Sequence, residues 1–291
     1  MQKQLKNQTQ VIEELRPGQS IELLKELHIL TREGKLNQDT RRKLKQVYHL
    51  YQFIEPLLND VLSHDAAFTL ADHGAGKSYL GFILYDLFFN VAQQGKATAG
   101  HIFGIEARPE LVEKSRALAV RLGFARMSFL NLSVKESATS NELPDRIDIV
   151  TALPACDTAT DDAIAFGLVK QAQHIVLVPC CQAEVAGVLK KSKALNLSRT
   201  PLAELWRHPL HTREFGSQIT NVLRCLQLEA NGYDVTVTEL VGWEHSMKNE
   251  LILASKPKVA APAKTSTAQV RLQQVLDELG LAELQSRFLH Q

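Results

Sequence analysis

Asp72, Gly74 and Gly76, spaced by two and followed at once by Lys77 and Ser78, are the first residues in this chain whose types and spacing could do chemistry. Before them runs an apolar stretch (Ala66, Ala67, Phe68, Leu70); after them comes one at helical spacing (Tyr79, Leu80, Phe82, Ile83, Leu84, Leu87, Phe88). A strand, a glycine turn and a helix together aim backbone N–H groups at a nucleotide-like ligand. Two ligand classes fit. Ala71-x-x-x-x-Gly76-Lys77-Ser78 is a relaxed phosphate loop, with alanine where the first glycine is expected. Asp72-x-Gly74-x-Gly76 is the opening motif of an S-adenosylmethionine (SAM) site. Glu106 separates the two. It ends the next short apolar run, His101-Ile-Phe-Gly-Ile-Glu106, and a carboxylate at that strand tip suits ribose hydroxyls. A phosphate loop has no use for it. It needs an apolar strand ending in a magnesium-binding Asp, and the best candidate, Ile147 to Leu153, runs instead into Pro154-Ala155-Cys156-Asp157.

The elements that must position these residues follow from periodicity. Ser20 opens a helix through Leu30, stopped by Gly34. Asp39 or Thr40 caps a second helix through Leu62, kinked or divided at Pro56. Further strands are expected at Met127 to Val134, Ile147 to Leu153 and His174 to Gln182, the last continuously apolar and therefore central. Helices alternate with them: Pro109 to Gly123, Asp161 to Lys170 and residues 215–231. Tyr233 to Val241 alternates with period two, and with Glu250 to Ser255 predicts an antiparallel pair. The alternation of strand and helix implies a parallel sheet with right-handed crossovers. The expected organisation is an N-terminal helical cover (1–63), a ligand-binding domain (64–256), a linker (257–268) and a C-terminal helical tail (269–291) hinged at Gly280.

Composition narrows the function classes. A formal charge of +1 over 291 residues excludes strong global attraction to nucleic acid, so any such contact must use a local patch. No apolar run approaches the about 18 residues of a membrane span. The N-terminus lacks an apolar signal core, and with four cysteines this predicts reduced thiols in the cytoplasm.

Over residues 64–256 the order of parts resembles class I SAM-dependent methyltransferases. Ala155-Cys-Asp-Thr-Ala-Thr-Asp-Asp-Ala-Ile164, Val178-Pro-Cys-Cys-Gln182 and Glu244-His-Ser-Met-Lys-Asn-Glu250 resemble a subgroup of methyltransferase-like proteins related to ribosomal RNA adenine dimethylases. The resemblance implies an α/β, Rossmann-like seven-stranded sheet and a SAM-dependent methyltransferase. It implies that Asp72, Gly74 and Gly76 lie under the methionine and ribose of SAM, with His73, Ser78 and Tyr79 in the turn close to it. Glu106 would take the ribose hydroxyls, flanked by Ala107 and Arg108; Asn131, Leu132 and Ser133 would meet the adenine, with Ser133 in place of the more usual Asp. Lys77 would pair with the methionine carboxylate or reach solvent. Ala155, Cys156 and Asp157 would line the pocket beside the methyl group.

The acceptor side offers paired readings. Asp157 is either catalytic or, with Thr158 as the other candidate, a cap for the next helix. Cys156, with Cys180 and Cys181, ends the fourth and fifth strands, as in cytosine-C5 RNA methyltransferases, where one thiolate is the nucleophile. The alternative is inert buried thiols; metal-ligand spacing is absent, so no metal is expected. An adenine amine acceptor calls for an Asn or Asp carbonyl and an aromatic ring here, and Ala152-Leu153-Pro154-Ala155 supplies neither. Residues 182–213 carry Lys190, Lys191, Lys193, Arg199, Arg207 and Arg213 against Glu184 and Glu204, which makes either a lid that attracts RNA phosphate or a solvated connector. Trp243 could stack a base or pack the hairpin, and His245 beside it is a candidate general base. The expected activity is methyl transfer to RNA or a ribosome-associated target. The alternatives are a protein or small-molecule acceptor, a SAM-binding scaffold without turnover, or a phosphate-loop nucleotide-binding protein.

Overall fold

The structure is a computed structural model that describes residues 13–93, 99–180, 182–192, 199–240, 250–259 and 262–289. Its centre is a seven-stranded sheet in the order β3-β2-β1-β4-β5-β7-β6. The parallel strands are β1 (Ala67–His73), β2 (Ala99–Glu106), β3 (Met127–Asn131), β4 (Ile149–Cys156) and β5 (His174–Cys180). Strands β6 (Asp234–Glu239) and β7 (Glu250–Ser255) form an antiparallel pair, and β7 runs antiparallel to β5. β5 is buried over six consecutive residues, which is why its sequence is continuously apolar. The chain leaves β1 for β2 on one side and returns to β4 on the other. That reversal opens a crevice at the C-terminal ends of the strands, where open α/β sheets bind ligands.

Helices cover both faces. On one side lie α1 (Ile21–Glu26), α2 (Gln38–His64), α3 (Tyr79–Tyr85, continued as a π-helix over Asp86–Ala92) and α4 (Pro109–Leu122). Leu24, Tyr51, Ile54 and Leu58 from the N-terminal helices meet Phe68, Leu70, Phe82 and Val176 there. The buried Asp86 accepts from the Ser20 N–H (3.0 Å) and fastens α1 to this layer. The opposite layer holds α5 (Val134–Thr139), α6 (Thr158–Val169) and α8 (Pro209–Ala230). Here Ala71, Val150, Ile175 and Leu177 pack with Ile164, Phe166 and Leu228. Leu70 and Ala71, like Val176 and Leu177, face opposite layers, as strand period demands. A third cluster joins α7 (Glu184–Ser192), α8, α9 (Pro262–Glu278) and α10 (Gln285–Phe288) through Leu189, Leu223, Leu272, Leu276 and Phe288.

Several boundaries differ from expectation. The cap of α2 is Asn37, whose side chain accepts from the Thr40 N–H while Thr40 bonds back, a capping box that displaces Asp39 and Thr40 from the role. Pro56 lies inside α2 without dividing it. β4 continues past Leu153 to Cys156, so α6 begins at Thr158 rather than Asp161. α8 begins at Pro209, because proline is well placed in a first helical turn. For the same reason half of the expected linker is helix: α9 starts at Pro262. Among the described residues no helix is long and apolar enough to cross a membrane.

Candidate active site at the ends of the parallel strands

At the β1 end, Gly74 and Gly76 take positive φ (67° and 58°), the left-handed region that only glycine enters without strain. A Cβ on Gly74 would meet nothing within 4 Å, so the backbone angle, not crowding, is what requires glycine there. The turn folds back onto β2: Ala75 N donates to the Ile105 carbonyl (2.9 Å) and Ser78 N to the Ala75 carbonyl (2.7 Å). Glu106 completes it. Its carboxylate accepts from Gly76 N (2.7 Å), from Arg108 N (3.0 Å) and from the Arg108 guanidinium (2.9 and 3.2 Å). Burial pushes the Glu106 carboxyl up, but these donors outweigh it and hold the group below the usual carboxylate range. Asn131 donates to the carbonyls of Glu106 (3.1 Å) and Ala107 (2.9 Å), fixing the backbone that carries the acid.

The other members of the motif divide by exposure. Asp72 is enclosed, accepting from the Thr151 hydroxyl (3.0 Å) across the β1–β4 boundary, and burial pushes its carboxyl up to about 7. His73 is also enclosed, against the ring of Phe166. Neither of its ring nitrogens has a hydrogen-bond partner among the described residues, and burial depresses its pKa to about 4. Ser78 is fully buried, its hydroxyl aimed at Gly81 and Gly104, where an added Cβ would lie 2.7 and 3.1 Å from it. The phosphate-loop alternative is overturned on this point, since that loop needs the serine hydroxyl at its mouth, on magnesium. Tyr79 and Lys77 stand at the surface. Ser133 spends its hydroxyl as the cap of α5, in a capping box with Glu136. Leu132 beside it is partly exposed.

The β4 end is built differently. Between Ala152 and Ala155 the β4–β5 register shifts by one residue at Leu153-Pro154, so Cys156 pairs with Cys180. Proline cannot donate to a ladder, and such bulges re-aim the side chains beyond them. The two sulfurs lie 2.9 Å apart, and Cys156 is exposed, so the reading of inert buried thiols fails for it. Asp157 follows with φ 44° and ψ −120°, an unusual conformation for a non-glycine residue. It stands at the N-cap position of α6 without a side-chain cap bond, so the helix-cap reading does not hold. Its N–H donates to the Cys180 carbonyl (3.0 Å), its Oδ1 accepts from Ala183 N (3.2 Å) and its carbonyl accepts from Arg224 (2.7 Å).

Arg224 is the residue the sequence reading missed. It is fully buried in α8 and bonds both oxygens of Asp161 (2.7 and 3.0 Å). Asn221 links this pair to Glu250 (2.7 Å) and to Gln182 (2.8 Å), which in turn accepts from Ser217 (2.7 Å). The signal was available: an arginine among the apolar residues Ile219, Val222, Leu223, Leu226 and Leu228 of one helix. Ala155 lies in β4, paired with Pro179. His245, with Trp243 and Glu244, lies outside the described residues, as do Cys181 and Lys193. In the basic segment Lys190, Lys191 and Arg199 are exposed, whereas Arg207 pairs with Glu204 (2.8 Å) and Arg213 with Glu214 (3.0 Å).

These residues fit a nucleoside cofactor: a left-handed glycine turn, an ionised acid bonded to it from the adjacent strand tip, and a buried imidazole with unclaimed nitrogens beside it. Solved structures with a related course include magnesium protoporphyrin IX methyltransferase from Synechocystis with bound SAM (11% identity, TM-score 0.44, covering 81% of this chain and 90% of that one). Another is an rRNA methylase from Streptococcus thermophilus (9% identity, TM-score 0.41, covering 72% and 97%). No curated protein matches the chain. A methyltransferase-domain family profile matches residues 42–188, from within α2 to within α7 and half of the chain. The chain belongs to that methyltransferase family: it is a SAM-dependent methyltransferase.

Proposed function

We propose that the acceptor is RNA, brought in over the ends of β4 and β5, and that Asp157 receives or orients the group to be methylated. The observation that carries this reading is the conformation of Asp157. Three bonds to three different elements hold its backbone and Oδ1 in a disfavoured geometry, and its Oδ2 is not taken by any described residue. Strain maintained by surrounding structure belongs to functional sites. SAM supplies an electrophilic methyl on a sulfonium, already a good leaving group. In this reading Gly74, Gly76 and Glu106 hold its methionine and ribose parts, with Tyr79 and Arg108 at the rim and Asn131 fixing the Glu106 backbone. Asp157 orients the acceptor, and its open oxygen takes the proton the acceptor gives up. Proximity and alignment then account for most of the rate. Cys156 and Cys180 line the same mouth.

Exposed Lys190, Lys191 and Arg199 support RNA, because phosphate contacts come from such cations. The resemblance of Ala155 to Ile164 to the subgroup related to ribosomal RNA dimethylases points the same way. The pairing of Arg207 and Arg213 with acids reduces the local charge and favours the second reading, a small-molecule or protein acceptor. Tritium transfer from labelled SAM into cell fractions decides. RNase-sensitive label, at least tenfold lower with Asp157→Asn at unchanged SAM affinity, is the expected result; label that survives RNase overturns the RNA reading.

A further inference from the structure

We infer that Cys156 and Cys180 form a dithiol–disulfide couple, a modification site for low-molecular-weight disulfides at the mouth of the active site. The geometry comes from the sheet. Residues in register on adjacent parallel strands have Cα atoms about 4.8 Å apart, inside the range of about 4.4–6.8 Å that a disulfide spans. Without the one-residue bulge at Leu153-Pro154, Ala155 rather than Cys156 would face Cys180, so the bulge is what makes the pair. The sulfurs stand 2.9 Å apart, within about 1 Å of the bond of about 2.0 Å that a disulfide makes.

Access favours a defined order of events. Cys156 is the exposed partner. Its thiolate attacks one sulfur of oxidised glutathione, giving a mixed disulfide and releasing one glutathione thiol. The Cys180 thiolate then attacks Sγ of Cys156, closing the protein disulfide and releasing the second glutathione. Two protein thiols are oxidised, one glutathione disulfide is reduced, and the two thiol protons pass to the glutathiones. Cys225 marks the contrast. Burial pushes its thiol up to about 12, which leaves almost no thiolate to react. The crosslink would tie together the two strand tips that hold Asp157, whose N–H already bonds the Cys180 carbonyl.

The test equilibrates the full chain with mixtures of reduced and oxidised glutathione, counts thiols, and maps peptides without reduction. Expected is the paired loss of two of the four thiols, a crosslink between the Cys156 and Cys180 peptides, and full recovery with dithiothreitol. Cys181→Ser and Cys225→Ser should keep the crosslink. Cys156→Ser should abolish it, and Cys180→Ser should stop the reaction at a glutathione adduct on Cys156. A crosslink that runs through Cys181, or a stable adduct on Cys156 in the unaltered chain, overturns the proposal. Because a serine variant could fold poorly, phenylarsine oxide, which bridges neighbouring thiols, supplies a second measurement on the unaltered chain. It should protect two thiols together; protection of none overturns the pairing.

Discussion

At the ends of β1 and β2 a carboxylate takes most of its bonds from a near neighbour in the chain: Glu106 bonds Arg108, two residues on, with the guanidinium largely in water, and takes one further bond from the Gly76 N–H. At the ends of β4 and β5 the corresponding anchor is assembled from distant parts. Arg224 of α8 reaches Asp161 of α6 and the Asp157 carbonyl, and neither member of the ion pair is exposed. The first arrangement costs little to break on its solvated guanidinium side, although its carboxylate is itself buried. The second takes two charges out of water and is tolerable because the charges pair with each other and the guanidinium also bonds the Asn221 side chain and the Asp157 carbonyl. The proposed cofactor end is therefore shaped by backbone and can exchange partners. The proposed acceptor end is rigid and depends on complete pairing.

The hardest blow to that contrast would be a mild effect at Arg224. Arg224→Met leaves Asp161 buried without its partner, and urea unfolding should show a loss of about 3–5 kcal/mol. Arg224→Met combined with Asp161→Leu should regain most of it, because apolar replacement of a buried pair is close to neutral. A single-variant loss under about 1 kcal/mol, the value for an exposed pair, would erase the distinction between the two ends.

The contrast also explains what could be read from sequence. The glycine turn, Glu106 and the alternation of strands and helices are local patterns, and spacing alone reveals them. Arg224 and Asp161 are 63 positions apart, and no spacing rule joins them. The bulge at Leu153-Pro154 escaped because a one-residue register shift is a property of two strands together, although the proline that permits it was in view. The burial of the Ser78 hydroxyl was invisible for a similar reason. It depends on Gly81 and Gly104, from different elements, leaving it room. Asp157 was found, but its strained backbone shows only in three dimensions.

Next in size is a pH effect confined to the β1 end. Asp72 titrates at about 7 when folded against an ordinary 3.8, so the stability it contributes is present below that lower value and lost as pH rises through 7. His73 titrates at about 4 against 6.5, so its contribution is present above 6.5 and lost as pH falls through 4. The two slopes oppose each other in one window. Asp72→Asn should uncover a fall in melting temperature on acidification, and His73→Gln a fall on raising the pH, each amounting to a few kcal/mol at about 1.4 kcal/mol per pKa unit. Parallel profiles in the two variants would mean that neither group titrates as its burial demands.

The smallest effects separate the roles of Glu106 and Arg108. Glu106→Gln removes the charge that the ribose hydroxyls would meet. Hydrogen bonds to a charged group are worth about 1.5–3 kcal/mol, so SAM affinity measured by calorimetry should fall at least tenfold. Unfolding free energy should move by under about 1 kcal/mol, because the Arg108 guanidinium is mostly solvated. Arg108→Ala should leave stability equally untouched but act in the opposite direction on binding. It removes the guanidinium that bonds both carboxylate oxygens, leaving them to the backbone N–H groups of Gly76 and residue 108 and to the incoming ribose, and SAM should bind as well or a few-fold better. If Arg108→Ala instead lowers SAM affinity as much as Glu106→Gln, the guanidinium is itself part of the ligand cradle. The β2 end would then resemble the β4 end, with a pair that works only when complete.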